Sequence, residues 1–582
     1  MAQAQSEYQT TRIPLVGIMN TREFDSSGSA LTGPTSGTVG IGIVGAMIVG
    51  NQTLLSKDQR FINCIPTKLK NELNDKETFY LIKRPGFELE DTISAGKKGM
   101  YLLYWGIKST GGSPVTAWGI TNSEIFDSTT SLGSITGECS YLMEFTLGTA
   151  SAVLIQSTDN TLWYHVEGIV TSFVGNTNTS TTVNNIGSTT GLYVGQSITG
   201  ADIPAGTRIA TIVGATSITI TQAATGTTAG VTFTTASLSK VTDVDYPGNM
   251  TPAKTVKPGA VFLNGFIYVM DKDGVIYNSD LNSIVNWTAN GSIQSNSYPD
   301  KGVTLIRYRN LVTAFGTTSV EFFSDAGNPS GTPLINNTSS TIKIGLANPY
   351  GVTSIDDNLV WVSASSKGGS SVYILEDFTP KIISTPIIDQ QIAMVGADSA
   401  RMNAVKFFGR TFVFLILTNN TYVYCIEDKM WHEWDSDYNY WDFLAVASAG
   451  INHIYGISTD AGAASGILWK INVSSVIYVD NGTEYTMSIQ TSKVDLNNNY
   501  RKRLSKLTIV GDRHVLSSPV DISWSDDDYQ TFTTPRGVDL VDLVSSINNC
   551  GIFRRRAFKL TNVSSTGLRL EAIELDTIQG IN

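Results

Sequence analysis

The sequence predicts an all-β protein built around a β-propeller of about seven blades, with six or eight blades also allowed. Three observations support this prediction: a repeat of about 48 residues, a composition suited to strands and turns, and one threonine-rich interruption of the repeat. The 582 residues are 41% hydrophobic and 16% charged, whereas about 25% of a typical globular chain is charged. Intrinsic disorder requires few hydrophobic and many charged residues, so this composition indicates a folded chain.

Each copy of the repeat consists of an apolar run, a polar turn and a second apolar run that ends near an aromatic residue. The clearest copy spans 261–277 and reads VFLNGFIYVMDKDGVIY. Copies begin at positions 101, 152, 261, 311, 359, 408 and 453, and one spacing exceeds the others by about 60 residues. Strand-rich repeats of this length are typical of β-propellers, in which stacked blades cover each other's faces. An array of β-sandwiches is the alternative that the pattern leaves open.

The side-chain order within the clearest copy indicates a hairpin. In Phe266–Met270 (FIYVM) successive side chains must point to opposite faces of a strand. The following Asp271–Gly274 (DKDG) contains the Asp-Gly pair that favours a tight turn. The acidic residues between Asp271 and Asp280 could bind Ca²⁺, but a turn is the favoured interpretation.

The long spacing predicts an inserted domain. Residues 169–237 contain nineteen Thr and only two charged residues, Asp202 and Arg208. Threonine suits exposed strand positions, so we expect a small all-β domain inserted between two blades. The propeller then occupies 99–168 and 238–475.

The two ends of the chain predict a second β unit. Residues 476–582 contain amphipathic strands; in the last, Leu568, Leu570 and Ala572 alternate with Arg569 and Glu571. We expect a C-terminal β platform that packs against the propeller and against the N-terminal segment 1–98. Within that segment we expect a short helix around Thr67–Leu73. The apolar run Thr38–Gly50 is too short and glycine-rich to span a bilayer, which requires about 20 residues; it predicts a buried strand or loop and no membrane insertion.

No pattern predicts a cofactor, a metal site or a catalytic centre. The four cysteines are far apart without a CxxC motif, so buried reduced thiols are the favoured interpretation. Gly40-Ile41-Gly42 lacks the lysine and helix of a phosphate loop, and no pair of carboxylates stands out for glycoside hydrolysis. The net charge of −11 disfavours a general nucleic-acid binder. We therefore expect no enzymatic activity.

One basic triplet is the candidate for a subunit interface. On a strand, Arg554 and Arg556 would share one face and Arg555 would take the other. Arginines of this kind commonly pair with carboxylates at subunit or domain contacts, and Asp526, Asp527 and Asp528 are the expected partners. A solvated face and a DNA contact remain as alternatives.

The acidic run belongs to a segment that resembles the Asp-box of sialidases. In SDDDYQTF, Ser525, Asp527 and Thr531 match the pattern Ser-x-Asp-x-Gly-x-Thr-Trp. Phe532 stands at the position of its tryptophan. Tyr529 replaces the glycine, which leaves the tight turn open. Asp-boxes are hairpin devices, so the resemblance implies structure rather than catalysis.

Both ends of the chain resemble the tail nozzle proteins of short-tailed phages, also called tail hub or tail tubular proteins. Asp58–Pro66 (DQRFINCIP) matches their R-x-x-N-C-x-P signature, and Thr78–Phe87 (TFYLIKRPGF) matches Y-x-x-K-R-P-G. The C-terminal stretches SWSDDDYQTF, CGIFRRRAFKL and LRLEAIELD are similar to the close of the same family. The threonine-rich stretch Gly191–Ile212 resembles small β modules of phage virion proteins.

The resemblance implies a structural protein of the virion tail that assembles into a ring, a hexamer in the family. Its implied partners are further copies of itself, a tail adaptor protein and tail fibres or spikes. The ring would conduct and gate genomic DNA without sequence-specific binding. A net negative charge suits this role, since a conduit must not grip its cargo, although screening confines the effect to about 8–10 Å.

Two other functions fit the propeller alone. A glycan-binding or depolymerase-like propeller at the tail tip would use exposed tryptophans, and Trp431, Trp434 and Trp441 form the one such cluster in the sequence. A monomeric cellular scaffold is the second alternative, and it predicts no ring.

Overall fold

In the computed structural model, strands are the main secondary structure of the described residues, which confirms the all-β prediction. It contains one α-helix among the described residues, Pro386–Val395. The described residues are 8–15, 59–70, 77–93, 100–106, 116–121, 123–127, 130–147, 150–166, 168–295, 300–328, 331–364, 369–418, 420–435, 445–449, 453–459, 466–472 and 476–579. The predicted buried run Thr38–Gly50 and Gly40-Ile41-Gly42 lie outside them.

Five strands precede the first blade. They are β1 (Tyr8–Pro14), β2 (Arg60–Ile62), β3 (Cys64–Lys70), β4 (Glu77–Lys83) and β5 (Glu88–Ile93). The expected helix around Thr67–Leu73 is wrong for its described part, since Thr67–Lys70 continues β3. This stretch pairs with β4 residue by residue, from Thr67 opposite Tyr80 to Lys70 opposite Glu77. Sheet pairing therefore overrides the helical tendency of the sequence KLKNEL.

The first three blades are four-stranded antiparallel sheets. Blade 1 contains β6 (Met100–Gly106), β7 (Thr116–Thr121), β8 (Glu124–Asp127) and β9 (Thr130–Ser134). Blade 2 begins with β10 (Cys139–Leu147), β11 (Ala150–Ser157) and β12 (Leu162–Val166) and ends, beyond the insertion, with β19 (Ser239–Lys240). Blade 3 contains β20 (Val256–Leu263), β21 (Phe266–Asp271), β22 (Val275–Ser279) and β23 (Trp287–Gln294).

Blades 4 to 6 continue the pattern. Blade 4 contains β24 (Gly302–Tyr308), β25 (Leu311–Gly316), β26 (Val320–Asp325) and β27 (Leu334–Asn336). Blade 5 has five strands: β28 (Gly345–Leu346), β29 (Val352–Ile355), β30 (Asn358–Ala364), β31 (Val372–Glu376) and β32 (Thr379–Ile382). Blade 6 contains β33 (Arg401–Phe407), β34 (Arg410–Ile416), β35 (Thr421–Cys425) and β36 (Met430–Trp434).

An N-terminal strand completes blade 7. Its first three strands are β37 (Ala445–Ala449), β38 (His453–Thr459) and β39 (Gly466–Asn472). The fourth is β5, which pairs antiparallel with β39 and places Leu89 opposite Trp469. The predicted boundary at residue 98 therefore differs from the structure, because residues 88–93 belong to the propeller.

The described residues form seven blades in a closed ring, which confirms the predicted propeller of about seven blades. The first strands of neighbouring blades contact each other from β6 onward, with β29 in this place for blade 5, and β37 returns to contact β6. Each of the seven repeat copies lies in a different blade. The copies at 101 and 261 begin in the first strand of a blade, whereas the other five begin in or just before the next strand. The irregular spacing partly reflects this change of phase.

The threonine-rich insertion lies inside blade 2, between β12 and β19, so the expectation of a position between two blades is wrong. The two-residue strand β19 carries no apolar run that the sequence could reveal. The insertion consists of two three-stranded sheets around its own apolar core, in which Phe173 and Phe233 stack with ring centroids 4.9 Å apart. Its strands are β13 (Ser172–Gly175), β14 (Thr182–Val183), β15 (Ile198–Thr199), β16 (Ile209–Gly214), β17 (Ser217–Ile220) and β18 (Val231–Thr235).

The C-terminal strands build a two-sheet platform. They are β40 (Val479–Asp480), β41 (Thr483–Glu484), β42 (Thr486–Gln490), β43 (Lys502–Gly511), β44 (Pro519–Ser525), β45 (Arg536–Asp539), β46 (Ser546–Asn548), β47 (Ile552–Phe553), β48 (Ala557–Val563) and β49 (Arg569–Gln579). One sheet contains β2, β42, β48, β44 and β45, and the other contains β1, β3, β4, β49, β43, β46 and β47. Both contribute to one core that includes Leu81, Leu507, Ile522, Phe558 and Ile573.

The platform and the propeller share one sheet. Strand β2 pairs in parallel with β36 of blade 6, with Ile62 opposite Glu433, and antiparallel with β42 of the platform. The result is a nine-stranded sheet that runs from blade 6 to the edge of the platform. A second connection is the segment 84–87, which leads from β4 in the platform to β5 in blade 7.

The second connection requires glycine at position 86. A Cβ atom there would lie 2.0 Å from the carbonyl oxygen of Val479, so the backbones could no longer approach each other. We expect Gly86→Ala to lower the free energy of unfolding by about 1–3 kcal/mol, because the overpacked backbone must shift. Gly187→Ala is the matched control, since a Cβ atom at Gly187 meets nothing within 4 Å. Urea unfolding measures both variants, and equal stabilities would contradict the requirement.

Candidate functional site

The two N-terminal motifs meet at the junction between propeller and platform. Asn63 follows β2, and Cys64 begins β3. In the second motif, Lys83 ends β4, and residues 84–87 form the crossover to β5. Asn63, Lys83, Arg84 and Phe87 are all at most 2% exposed. The sequence therefore places two cations inside the protein, where each needs compensating partners.

Arg84 binds Asp480 in a fully buried ion pair. Nη1 donates to Oδ1 of Asp480 at 2.9 Å and Nη2 donates to Oδ2 at 2.5 Å. Two further hydrogen bonds reach the propeller side and Asn63. Nη2 donates to the carbonyl of Asp435 at 3.1 Å, and Nε donates to Oδ1 of Asn63 at 2.7 Å. A bidentate pair with further acceptors satisfies the planar guanidinium.

Aromatic rings surround the same guanidinium. Its central carbon lies 3.8 Å from the ring centroid of Tyr485 and 5.7 Å from that of Trp434. The hydroxyl of Tyr485 donates to the carbonyl oxygen of Arg84. Trp434 belongs to blade 6 and Tyr485 to the platform, so one side chain contacts both units.

Asn63 joins the same two units through its backbone and its amide. It has a φ of 57°, and its backbone N–H donates to the carbonyl of Glu433 at 2.8 Å. Its Nδ2 donates to the carbonyl of Thr486 at 2.8 Å, and its Oδ1 also accepts from the N–H of Asp435 at 2.8 Å. Asparagine tolerates this left-handed conformation better than most residues do.

Lys83 lies on the platform side of the junction. Its Nζ donates to Oδ1 of Asn562 at 3.2 Å and to the carbonyl of Ser564 at 2.5 Å, and it lies 4.6 Å from the ring centroid of Tyr485. Burial, with the nearby charge of Arg84, lowers the pKa of Lys83 to about 8. The charged form therefore carries a desolvation cost in the folded chain.

The basic triplet does not form the predicted surface. Residues 554–556 lie between β47 and β48 rather than on a strand, so the expected alternation of faces is wrong. The side chain of Arg556 is 1% exposed and binds Asp526 within the same chain, with both nitrogen–oxygen distances 2.7 Å. Arg556 also lies 4.6 Å from the ring centroid of Phe553. Arg556 and Asp526 therefore form an ion pair within the platform of a single chain.

The other candidates divide in the same way. Asp528 pairs with Lys493, and Asp527 accepts bonds from Ser525 and Thr531 that lower its pKa to about 2, chiefly through Thr531. Arg554 and Arg555 are exposed. These two arginines remain candidates for a contact with another chain.

The Asp-box turn forms without its glycine. Tyr529 adopts a φ of 65°, in the left-handed region that glycine usually occupies. Its ring is buried at 3% exposure, and its hydroxyl donates to the carbonyl of Thr491 at 3.0 Å. We infer that burial of the ring offsets the backbone strain. The segment is a hairpin device, as its resemblance implied.

The tryptophan cluster does not provide a sugar platform in the part of the chain that is described. Trp431 and Trp434 are at most 4% exposed in β36, and Nε1 of Trp431 donates to the carbonyl of Ile383 at 2.7 Å. Trp441 lies outside the described residues. The Asp271–Gly274 turn is present, since Oδ1 of Asp271 accepts from the N–H groups of Asp273 and Val275.

The part of the chain that the structure describes contains buried free thiols but neither a metal-binding cluster nor a membrane-spanning helix. No group of three or more potential ligands could hold a metal ion there. No helix in that part of the chain is both long and apolar enough to cross a bilayer. Cys64, Cys139, Cys425 and Cys550 are buried free thiols.

Sequence reasoning missed the partners of the two motifs. Asp480, Tyr485 and Asn562 are separated from Arg84 or Lys83 by about 400 residues or more, and no local pattern marks them. A buried cation in the K-R-P-G motif requires a carboxylate partner. The chain contains 51 acidic residues, and the sequence does not show which of them is the partner.

The ion pair predicts a large and non-additive loss of stability. Asp480→Leu or Arg84→Met should each lower the free energy of unfolding by about 3–5 kcal/mol, because one buried charge loses its partner. Arg84→Met with Asp480→Leu should cost less than the two losses combined. Urea unfolding of the four proteins gives the coupling energy, and strictly additive losses would exclude the pair as a source of stability.

The lowered pKa of Lys83 predicts a rise in stability at alkaline pH. Between about pH 8 and the ordinary pKa of about 10.5 the unfolded chain binds more protons than the folded chain, so folding becomes more favourable as pH rises. The advantage of the parent over Lys83→Met should grow by about 2 kcal/mol between about pH 7.5 and 10. Urea unfolding at both pH values measures it, with Lys272→Met, an exposed lysine, as control. A constant difference would contradict the prediction.

Comparisons with known proteins give one family match and several similar solved structures. The family described as bacteriophage P22 Gp10, β-propeller, has a model that matches residues 143–456. Among curated proteins no relative matches. Similar solved structures include Raptor from Chaetomium thermophilum, at 10% identity and a TM-score of 0.34, covering 72% of this chain and 29% of Raptor. The match to the computationally designed protein Ika8, at 9% identity and a TM-score of 0.31, covers 66% of this chain and 100% of Ika8. The match to a chain of the mitotic checkpoint complex, at 9% identity and a TM-score of 0.33, covers 66% of this chain and 95% of that one.

The family match extends from blade 2 to blade 7 and includes more than half of the 582 residues. The chain therefore belongs to the bacteriophage P22 Gp10 β-propeller family and is a structural phage tail protein.

Proposed function

We propose that this protein forms a ring, a hexamer by resemblance to tail nozzle proteins, at the distal end of a phage tail. The ring conducts genomic DNA during ejection and closes the channel before it. The observation that carries the proposal is the double connection between propeller and platform, through the shared nine-stranded sheet and through the crossover 84–87. Two connections resist relative rotation, which a part that holds a pressurised channel in register requires.

The charge balance supports passage of DNA rather than binding. The chain carries 51 acidic and 40 basic residues, and a sixfold ring multiplies this excess. Tight non-specific binding depends on many lysine and arginine contacts with phosphate. Several arginines of this chain are instead committed to internal contacts: Arg84 and Arg556 are buried, and Arg60 pairs with Glu433.

The role that we propose is structural and without catalysis. Buried carboxylates of the described chain have structural partners, such as Asp480 with Arg84 and Glu321 with Ser295 and Asn336. A tail adaptor protein and tail fibres or spikes are the proposed partners besides further copies of the chain. A glycan-binding propeller is disfavoured by the burial of Trp431 and Trp434.

Ring formation tests the proposal directly. The purified chain should elute with about six times its monomer mass in size-exclusion chromatography with light scattering. Negative-stain images should show sixfold rings with an open or plugged centre. A protein that stays monomeric at micromolar concentration and shows no rings would favour the scaffold alternative.

A further inference from the structure

We propose that neighbouring copies contact each other through opposite ends of the platform, the basic end of one copy binding an apolar, acidic end of the next. The inference rests on the proposed ring and names the surfaces that close it. Strand β43 joins the two ends. Its ten residues, Lys502 to Gly511, span about 30 Å at about 3.4 Å per residue.

The basic end surrounds the start of β43. Arg501, Arg503, Arg554 and Arg555 are exposed there, and within the described chain no carboxylate forms an ion pair with any of them. Arg503 lies opposite Ile552 in the sheet, and Nη1 of Arg554 donates to the carbonyl of Asn499 at 2.7 Å. The buried Nζ of Lys502 donates to the carbonyl of Arg554 at 3.1 Å, which fixes the bend that carries the arginines.

The basic end also exposes apolar side chains. Tyr500 is 45% exposed and Ile552 is 62% exposed, next to the arginines. The alkyl parts of the arginines, the Tyr500 ring and the Ile552 side chain together form a surface that suits a protein partner.

The opposite end consists of two adjoining loops, 512–518 and 540–545. The N–H of His514 donates to the carbonyl of Leu540 at 3.1 Å, and Nε of Arg513 donates to the carbonyl of Val541 at 3.0 Å. Four apolar side chains point away from the core there. Their exposed fractions are 95% for Val515, 69% for Leu516, 84% for Leu543 and 54% for Val544.

Acidic residues accompany these apolar side chains. Asp512 and Asp542 are exposed within the loops, and Asp539 supports the first loop by accepting bonds from Ser517 and Ser518. Two arginines lie at this end as well; Arg569 is shared between Asp512 and Glu571, at 3.8 and 3.5 Å, and Arg513 is held by the Val541 carbonyl.

The complementarity of the two ends favours a second copy as the occupant. A ring requires a heterologous interface, in which two different patches of the same chain meet. Opposite charges attract the basic end to the acidic end, whereas contact between two identical ends would place like charges together. Asp526 and Asp528 pair with Arg556 and Lys493 at 2.7 Å or less within the chain. Asp512 is only loosely paired, at 3.8 Å from Arg569, and the exposed Asp542 forms no ion pair among the described residues. Asp512 and Asp542 are therefore the proposed carboxylates of the contact.

Charge reversal tests the contact. Variant one carries Arg554→Glu and Arg555→Glu, and variant two carries Asp512→Lys and Asp542→Lys. Each alone should raise the concentration required for ring assembly by at least about 100-fold, since the two reversed residues then face charges of their own sign at every contact. An equal mixture should form rings again, because in a ring of alternating copies parental contacts alternate with charge-exchanged contacts, and both kinds join opposite charges.

Two controls keep the outcomes distinct. Lys272→Glu with Lys301→Glu makes the same charge change on exposed propeller loops and should leave assembly unchanged. Circular dichroism melting checks folding; if a reversal variant is unfolded, Leu543→Asn with Val544→Asn, at exposed positions, decides instead and should weaken assembly at least tenfold. The proposed interface is wrong if each reversal variant forms rings alone, or if the Asn variant forms rings at the parental concentration. Either result leaves the proposed nozzle function unaffected. Absence of rings from the parental chain refutes the nozzle itself.

Discussion

The buried guanidinium of Arg84 constrains how the two halves of the molecule meet. A desolvated cation is tolerated only where acceptors are placed around it, and these come from both units: Asp480 beside the platform, and the carbonyl of Asp435 after blade 6. The residues that follow Arg84 cannot then leave in an arbitrary direction. Gly86 crosses against Val479, and β5 continues from there into blade 7. Closure of the propeller and orientation of the platform thus depend on one cluster of contacts.

This arrangement explains why the motif residues near the N-terminus are polar and yet buried. Asn63, Lys83 and Arg84 supply directional contacts, which hydrophobic residues cannot do. Apolar packing holds the platform sheets together through Leu507, Phe558 and their neighbours, but packing alone permits sliding. Hydrogen bonds to carbonyls of Asp435, Thr486 and Ser564 fix the register between units that are more than 350 residues apart in sequence.

The sequence revealed what is periodic and concealed what is not. Seven copies of an apolar, turn-rich unit each mark a blade, and the threonine content marks the insertion, because these properties extend over many residues. Strand β19 has two residues and β5 is donated from another part of the chain, so neither changes the period. The junction was visible as a motif, but its partners Asp480 and Asn562 depend on tertiary contacts that no spacing encodes. The Arg triplet does not follow the alternation of a strand, because the chain bends between β47 and β48 and a sequence motif does not show such a bend.

The division of that triplet connects the core of the platform to its surface. Arg556 turns inward to Asp526 and holds the bend from below, while Lys502 holds it through the carbonyl of Arg554. Arg554 and Arg555 are consequently presented outward from a fixed backbone, at one end of a strand whose other end carries Val515 and Leu543 in the neighbouring loops. In a closed ring the angle between two such ends sets the rotation from one copy to the next. A platform that could rotate against its propeller would leave that angle undefined at the propeller, so the contacts of Arg84 and the proposed contact between copies serve the same requirement.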